Sequence, residues 1–165
     1  MATPSMPEAL AWIARLGLQP HPEGGHYRRF YTAPIATRLA RGERRLATVI
    51  HYLLEGHDRS RLHRLRADEL WHYHAGASLD LVTIDPTGNL HHRVLGIHGD
   101  AAPLLTIPAG CWFGARVREQ ASFALVSCTV VPGFEFADFE LGERSALLER
   151  FPAHRAWIET LTDPD

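Results

Sequence analysis

The chain has 165 residues, 45% of them hydrophobic and 22% charged, so one globular domain with its own core is expected. The formal charge is −2 with no clustered basic face, which argues against nucleic acid as a partner. No run of about 20 apolar residues could cross a membrane as a helix.

Met1 to Pro7 lacks a basic n-region and an apolar h-region, so no signal peptide is expected. Ser5-Met6-Pro7-Glu8 reads as a helix start, with Ser5 as cap and Pro7 in the first turn. Leu10, Ile13, Ala14 and Leu16 follow at helical spacing and Gly17 suits a stop, which predicts a helix over 7–16. His21-Pro22-Glu23-Gly24-Gly25 is turn chemistry, and the segment after it, Tyr27 to Tyr31, is strand-like. From 46 to 131, short apolar segments alternate with turn residues. They mark strands at 46–54, 60–65, 69–75, 78–84, 91–95, 103–107, 111–117 and 122–131. Asp85-Pro86-Thr87-Gly88 and Pro108-Ala109-Gly110 are turns between them. Regular short strands of this kind predict an all-β sandwich or barrel. Gly142 precedes a helical stretch at 143–150, and Pro152 opens another at 152–161 with Trp157, Ile158 and Leu161 on one side. With no internal repeat or linker, residues 1–165 read as one domain: a barrel core at about 20–141 and a C-terminal helical segment at about 143–161.

All 17 basic residues are Arg, which excludes a Schiff-base lysine, a P-loop lysine and a Ser–Lys dyad. There are 11 His, crowded between His51 and His92. Histidine is the usual metal ligand and the usual acid/base group near neutrality. Cys111 and Cys128 lie in apolar strand-like runs and are expected to be reduced, which fits a cytoplasmic protein.

The segment from Gly56 to Gly76 carries the chemistry. Glu69 and Gly76 are separated by six residues, and His63 precedes Glu69 by six. This resembles the first motif of the cupin superfamily, G-x5-H-x-H-x3-to-4-E-x6-G, with Leu65 at its second histidine and the opening Gly displaced by one. Pro108-Ala109-Gly110-Cys111-Trp112-Phe113 resembles the second motif, with Phe113 at its histidine and Val117 at its asparagine. Together with His21-Pro22-Glu23-Gly24-Gly25, Tyr52-Leu53-Leu54, Asp68-Glu69-Leu70-Trp71-His72 and Cys128 to Glu140, the segments resemble, in order, the cupin group called predicted sugar epimerases. The resemblance spans roughly residues 20–141. It implies a double-stranded β-helix (jelly-roll) barrel with N- and C-terminal helices, often dimeric.

The resemblance leaves only His63 and Glu69 at metal-ligand positions, and two ligands hold a divalent ion poorly. On a regular strand Glu69, Trp71 and Tyr73 share one face, and Leu70, His72 and His74 the other. Only a bulge near Glu69 would bring His72 in to complete a His63, Glu69, His72 set. No cofactor is therefore expected. The reading is a metal-independent epimerase or isomerase acting on a carbohydrate-like substrate, in an aromatic pocket of the kind that binds small molecules. His63 and Glu69 are the expected acid/base pair, with Tyr73 or Tyr52 as a proton donor. Tyr52, Trp71, His72, Phe113 and Glu23 are expected to bind substrate. Expected partners are a small-molecule ligand and a second copy in a homodimer. Two alternatives stay open: a non-catalytic binding or sensing cupin, and a metal-dependent cupin oxygenase or lyase.

Overall fold

A computed structural model describes residues 6–165; the expected cap, Ser5, lies outside the described residues. The elements in order are α1 (Met6–Leu16), β1 (Gln19–Pro20), β2 (His26–Thr32), β3 (Ala36–Leu39), β4 (Gly42–Arg45), β5 (Thr48–Glu55) and β6 (Arg59–Leu65). They continue with β7 (Asp68–Gly76), β8 (Leu79–Ile84), β9 (Leu90–Leu95), β10 (Leu104–Ile107), β11 (Trp112–Val117), β12 (Phe123–Val131) and β13 (Phe139–Leu141). The C-terminal helices are α2 (Arg144–Arg150) and α3 (Arg155–Thr160).

The strands form a six-stranded sheet, β1-β2-β5-β12-β7-β10, and a five-stranded sheet, β13-β6-β11-β8-β9. A separate hairpin pairs β3 with β4. This is the expected all-β jelly roll. The core lies between the sheets, where Tyr52, Trp71 and Cys128 of one meet Leu79, Leu81 and Phe113 of the other.

Every residue of β8 is buried because both of its faces are covered. Leu79 and Leu81 face the barrel core, while Val82 and Ile84 pack with Leu147, Ile158 and Leu161 of the C-terminal segment. On the opposite side, α1 lies over Leu53, Phe123 and Leu125 of the six-stranded sheet. The helix meets them through Ala9, Trp12, Ile13 and Leu16; Leu10, assigned to that stripe by spacing, is exposed. The hairpin at 36–45 and the strands β1 and β13 were not legible. They are two to four residues long, too short for a period-two pattern to show, and exist through backbone pairing. The segment 152–161 opens with a 3₁₀ turn, Pro152–His154, before α3 begins.

Two glycines set the loop before β2. Gly24 has φ +114°, and a Cβ there would stand 2.1 Å from the Arg59 carbonyl oxygen; Gly25 has φ +70°, and its Cβ would meet the Leu53 carbonyl at 2.6 Å. Only glycine permits these conformations and approaches. The loop therefore presses against β5 and β6 and carries Glu23 inward, where it is 5% exposed. The Arg61 amide donates to the Glu23 carbonyl at 3.1 Å, and the Tyr52 hydroxyl donates to the Gly24 carbonyl at 2.7 Å.

Candidate functional site

A cavity of about 620 Å³ opens at one end of the barrel, with Glu23, Tyr52, His63, Glu69, Cys128 and Phe139 in its wall. His21 and Tyr27 also line it, and Arg28 and Arg29 stand where it meets solvent.

His63 comes from β6 and is 3% exposed. Its Nδ1 lies 2.7 Å from the Arg61 carbonyl and 3.1 Å from Glu23 Oε2. Both neighbours are acceptors, so the proton belongs on Nδ1 and Nε2 carries the lone pair. Phe113 and Phe139 hold the ring, with centroids 4.1 and 5.3 Å away. Glu23 is held in turn by the Ser60 hydroxyl, which donates to Oε1 at 2.8 Å. A carboxylate, an imidazole and a free Nε2 in this order form a dyad that keeps a buried base in one tautomer.

Glu69 is the second carboxyl of the cavity. The Trp71 indole donates to its Oε1 at 2.9 Å, and the Cys128 thiol is its other hydrogen-bonding neighbour. Burial first, and then the charge of Glu23, push its pKa to about 8. At neutral pH Glu69 is therefore mainly a carboxylic acid, able to donate a proton. His21 has the opposite tautomer to His63: its Nδ1 accepts the Glu23 amide at 3.1 Å, which leaves the proton on Nε2. Burial holds its pKa below the ordinary histidine value.

The structure places the sequence-assigned residues unevenly. Glu23, Tyr52, His63 and Glu69 converge on the cavity. Trp71 and Phe113 stand behind its wall: Trp71 binds Glu69, and Phe113 packs on His63. Tyr73 is not part of the site. It shares the face of Glu69 but lies four residues further, about 13 Å at strand rise, and its hydroxyl donates to the Gly76 carbonyl. His72 is also outside. The bulge in β7 falls at His74, between the pairs Leu125–Ala75 and Val126–Tyr73, too far along to turn His72 inward. His72 faces the outer surface of the sheet, its Nε2 3.3 Å from the Thr129 hydroxyl. Ser60 enters the site through Glu23 of the folded-in loop, Phe139 through the pairing of β13 with β6, and Cys128 through that of β12 with β7; no local pattern marks these neighbours. His21 stands in the same loop as Glu23 and also lines the cavity.

The donor set does not fit a cupin metal. Leu65 and Phe113 offer no ligand atom, His63 commits Nδ1 to Arg61 and Glu23, and Glu69 is largely protonated. Among the described residues, the group of three or more potential ligands close enough to share an ion lies elsewhere, at His26, Glu55 and Asp58.

A family described as Cupin superfamily (DUF985) matches residues 10–142. The chain belongs to the cupin superfamily. Among solved structures, this cupin is similar to a protein from Shewanella oneidensis, 39% identical with a TM-score of 0.88, over 94% of this chain and 97% of that one. It is also similar to a hypothetical protein from Leishmania major, 35% identical with a TM-score of 0.87, over 93% and 98%. The oxalate decarboxylase of Bacillus subtilis, 15% identical with a TM-score of 0.59 over 88% of this chain and 37% of that one, shares the fold alone. No curated protein matches.

Proposed function

We propose that this cupin is a metal-independent epimerase or isomerase of a small carbohydrate-like carbonyl compound. The observation that carries the reading is the convergence of two differently held groups on one cavity. His63 has its Nδ1 turned to the Arg61 carbonyl and Glu23, which leaves Nε2 free of those partners, and burial pushes the Glu69 carboxyl up to about 8. Epimerisation next to a carbonyl needs this pair. His63 takes the proton from the carbon alpha to the carbonyl, the electron pair moves into the enolate, and Glu69 returns a proton to the opposite face. His63 is left protonated and Glu69 ionised, and exchange with water resets both. Glu23 stabilises the imidazolium, and the aromatic rings of Tyr27, Phe134 and Phe139 suit the apolar faces of a sugar. Arg28 and Arg29 at the mouth suit an anionic substituent.

The test is deuterium incorporation from heavy water into a panel of free and nucleotide-linked keto-sugars. Exchange into one member is expected, lowered about 10²–10⁴-fold in His63→Ala and in Glu69→Gln. Exchange that persists in both variants would remove these residues from the mechanism. Saturable binding of a panel member without exchange would make the protein a binding module instead.

A further inference from the structure

His26, Glu55 and Asp58 bring their ligand atoms within 4.8 Å of one another, away from the cavity. His26 opens β2 and pairs with Leu53 in the register of the sheet; Glu55 ends β5 two residues later, so both belong to the outer face. Asp58 closes the turn that follows. That turn is fixed by its backbone: the Asp58 amide donates to the Glu55 carbonyl at 2.8 Å, and the Glu55 amide donates to Asp58 Oδ2 at 3.1 Å. Gly56 anchors it, since a Cβ there would stand 2.0 Å from the Gln120 carbonyl oxygen.

One of these groups lacks a partner: Nδ1 of His26 is buried without a hydrogen-bond partner. A buried imidazole nitrogen left unsatisfied is costly. Glu55 is 7% exposed; its carboxylate accepts no hydrogen bond among the described residues but reaches solvent, with His57 Nε2 at 4.0 Å. A cation held between them gives the imidazole nitrogen a partner and the carboxylate a counter-charge. Asp58 adds a second carboxylate, and the exposed His57, 3.7 Å from Asp58 Oδ1, adds a second imidazole.

We infer that His26, Glu55 and Asp58, with His57 as fourth donor, bind one divalent transition-metal ion of the zinc type on the outer face of the six-stranded sheet. Mixed imidazole and carboxylate donors favour zinc, cobalt or manganese over calcium and magnesium. Ligand atoms about 2.0–2.2 Å from zinc stand closer to one another than the spread here, a contraction that side-chain rotation supplies. The ion clamps the start of β2 to the end of β5. Its role is structural, because the loop that ends at Gly25 carries Glu23 into the cavity. This ion takes no part in the proton transfers proposed for His63 and Glu69, and its binding does not depend on them.

Chelator-treated full-length protein is titrated with Co²⁺, reading visible ligand-field absorption, and with Zn²⁺ against a chromophoric chelator. One equivalent is expected, with zinc raising the melting temperature. His26→Gln and Asp58→Asn each weaken binding by about tenfold or more and remove the zinc-dependent rise in melting, while circular dichroism of the metal-free variants stays native. His63→Ala and Glu69→Gln bind as wild type. Because Asp58→Asn retains an acceptor for the Glu55 amide, it serves if His26→Gln fails to fold. No saturable binding at roughly millimolar metal, unchanged affinity in Asp58→Asn, or loss of binding in His63→Ala would each overturn the inference.

Discussion

Glu69 has one indole N–H and one thiol to stabilise a charge, in a wall otherwise built of aromatic and aliphatic groups. Burial therefore holds its carboxyl protonated up to about pH 8, against an ordinary value of 4.5. Below about pH 4.5 the group is protonated in both the folded and the unfolded chain. Between that pH and about 8 only the unfolded chain releases its proton, so the stability tied to the neutral carboxyl is full at low pH and is lost as pH rises through about 8. A tenfold change in an acid's ionisation constant corresponds to ~1.36 kcal/mol, so the whole effect is on the order of a few kcal/mol. Glu69→Gln stays neutral at every pH. Its melting temperature is expected to fall less than that of wild type between about pH 5 and 9, measured by circular dichroism. Any turnover that uses Glu69 as the acid depends on the folded-state value alone and should decline as pH rises through about 8, which a pH–rate profile of deuterium exchange reads directly. Glu23 depends on its neighbours: Ser60→Ala removes the donor at 2.8 Å and leaves a buried carboxylate less satisfied.

The loop before β2 and the helix α1 are the elements that finish the cavity and the sheet behind it. A side chain at residue 24 would require a left-handed backbone and would collide with the Arg59 carbonyl. Gly24→Ala is therefore expected to displace the loop, separate Glu23 from His63, and abolish exchange while the barrel still folds. Native circular dichroism with lost exchange is the expected pair of results. α1 buries Ala9 completely and Trp12, Ile13 and Leu16 in part, against Leu53, Phe123 and Leu125. At about 1.5–3 kcal/mol for each fully buried large side chain, deletion of residues 1–17 costs several kcal/mol and lowers the melting temperature clearly. An unchanged melt would show that α1 adds nothing to the barrel.

At the scale of the whole molecule, the outer face of the six-stranded sheet is covered by α1 only in part. Phe30, Tyr31, Leu104 and Val131 remain exposed, beside His51, His72 and His74. Burial holds the pKa of His51 and of His74 below the ordinary value, so neutral imidazoles accompany the apolar groups. We propose that this face joins two copies in a homodimer, expected at twice 18.5 kDa; sedimentation of a monomer at micromolar concentration would refute it. No helix among the described residues is long and apolar enough to cross a membrane. The sequence by itself determined the eight main strands between 46 and 131, the helices at both ends and the inward pair His63 and Glu69. Those features are written locally, as alternation of period two, helical spacing, turn residues and motif order. The tertiary structure alone decided the rest. The position of the bulge, at His74 rather than near Glu69, was decided by the pairing of β7 with β12; it left the alternation from Glu69 to Tyr73 regular and so left His72 outside. Distance along β7 removed Tyr73, although its face was assigned correctly. The partners of Glu23, the burial that keeps Glu69 protonated, and the cluster of His26, Glu55 and Asp58 all join residues distant in sequence. Such pairings arise when sheets close and helices dock, and local pattern carries no record of them.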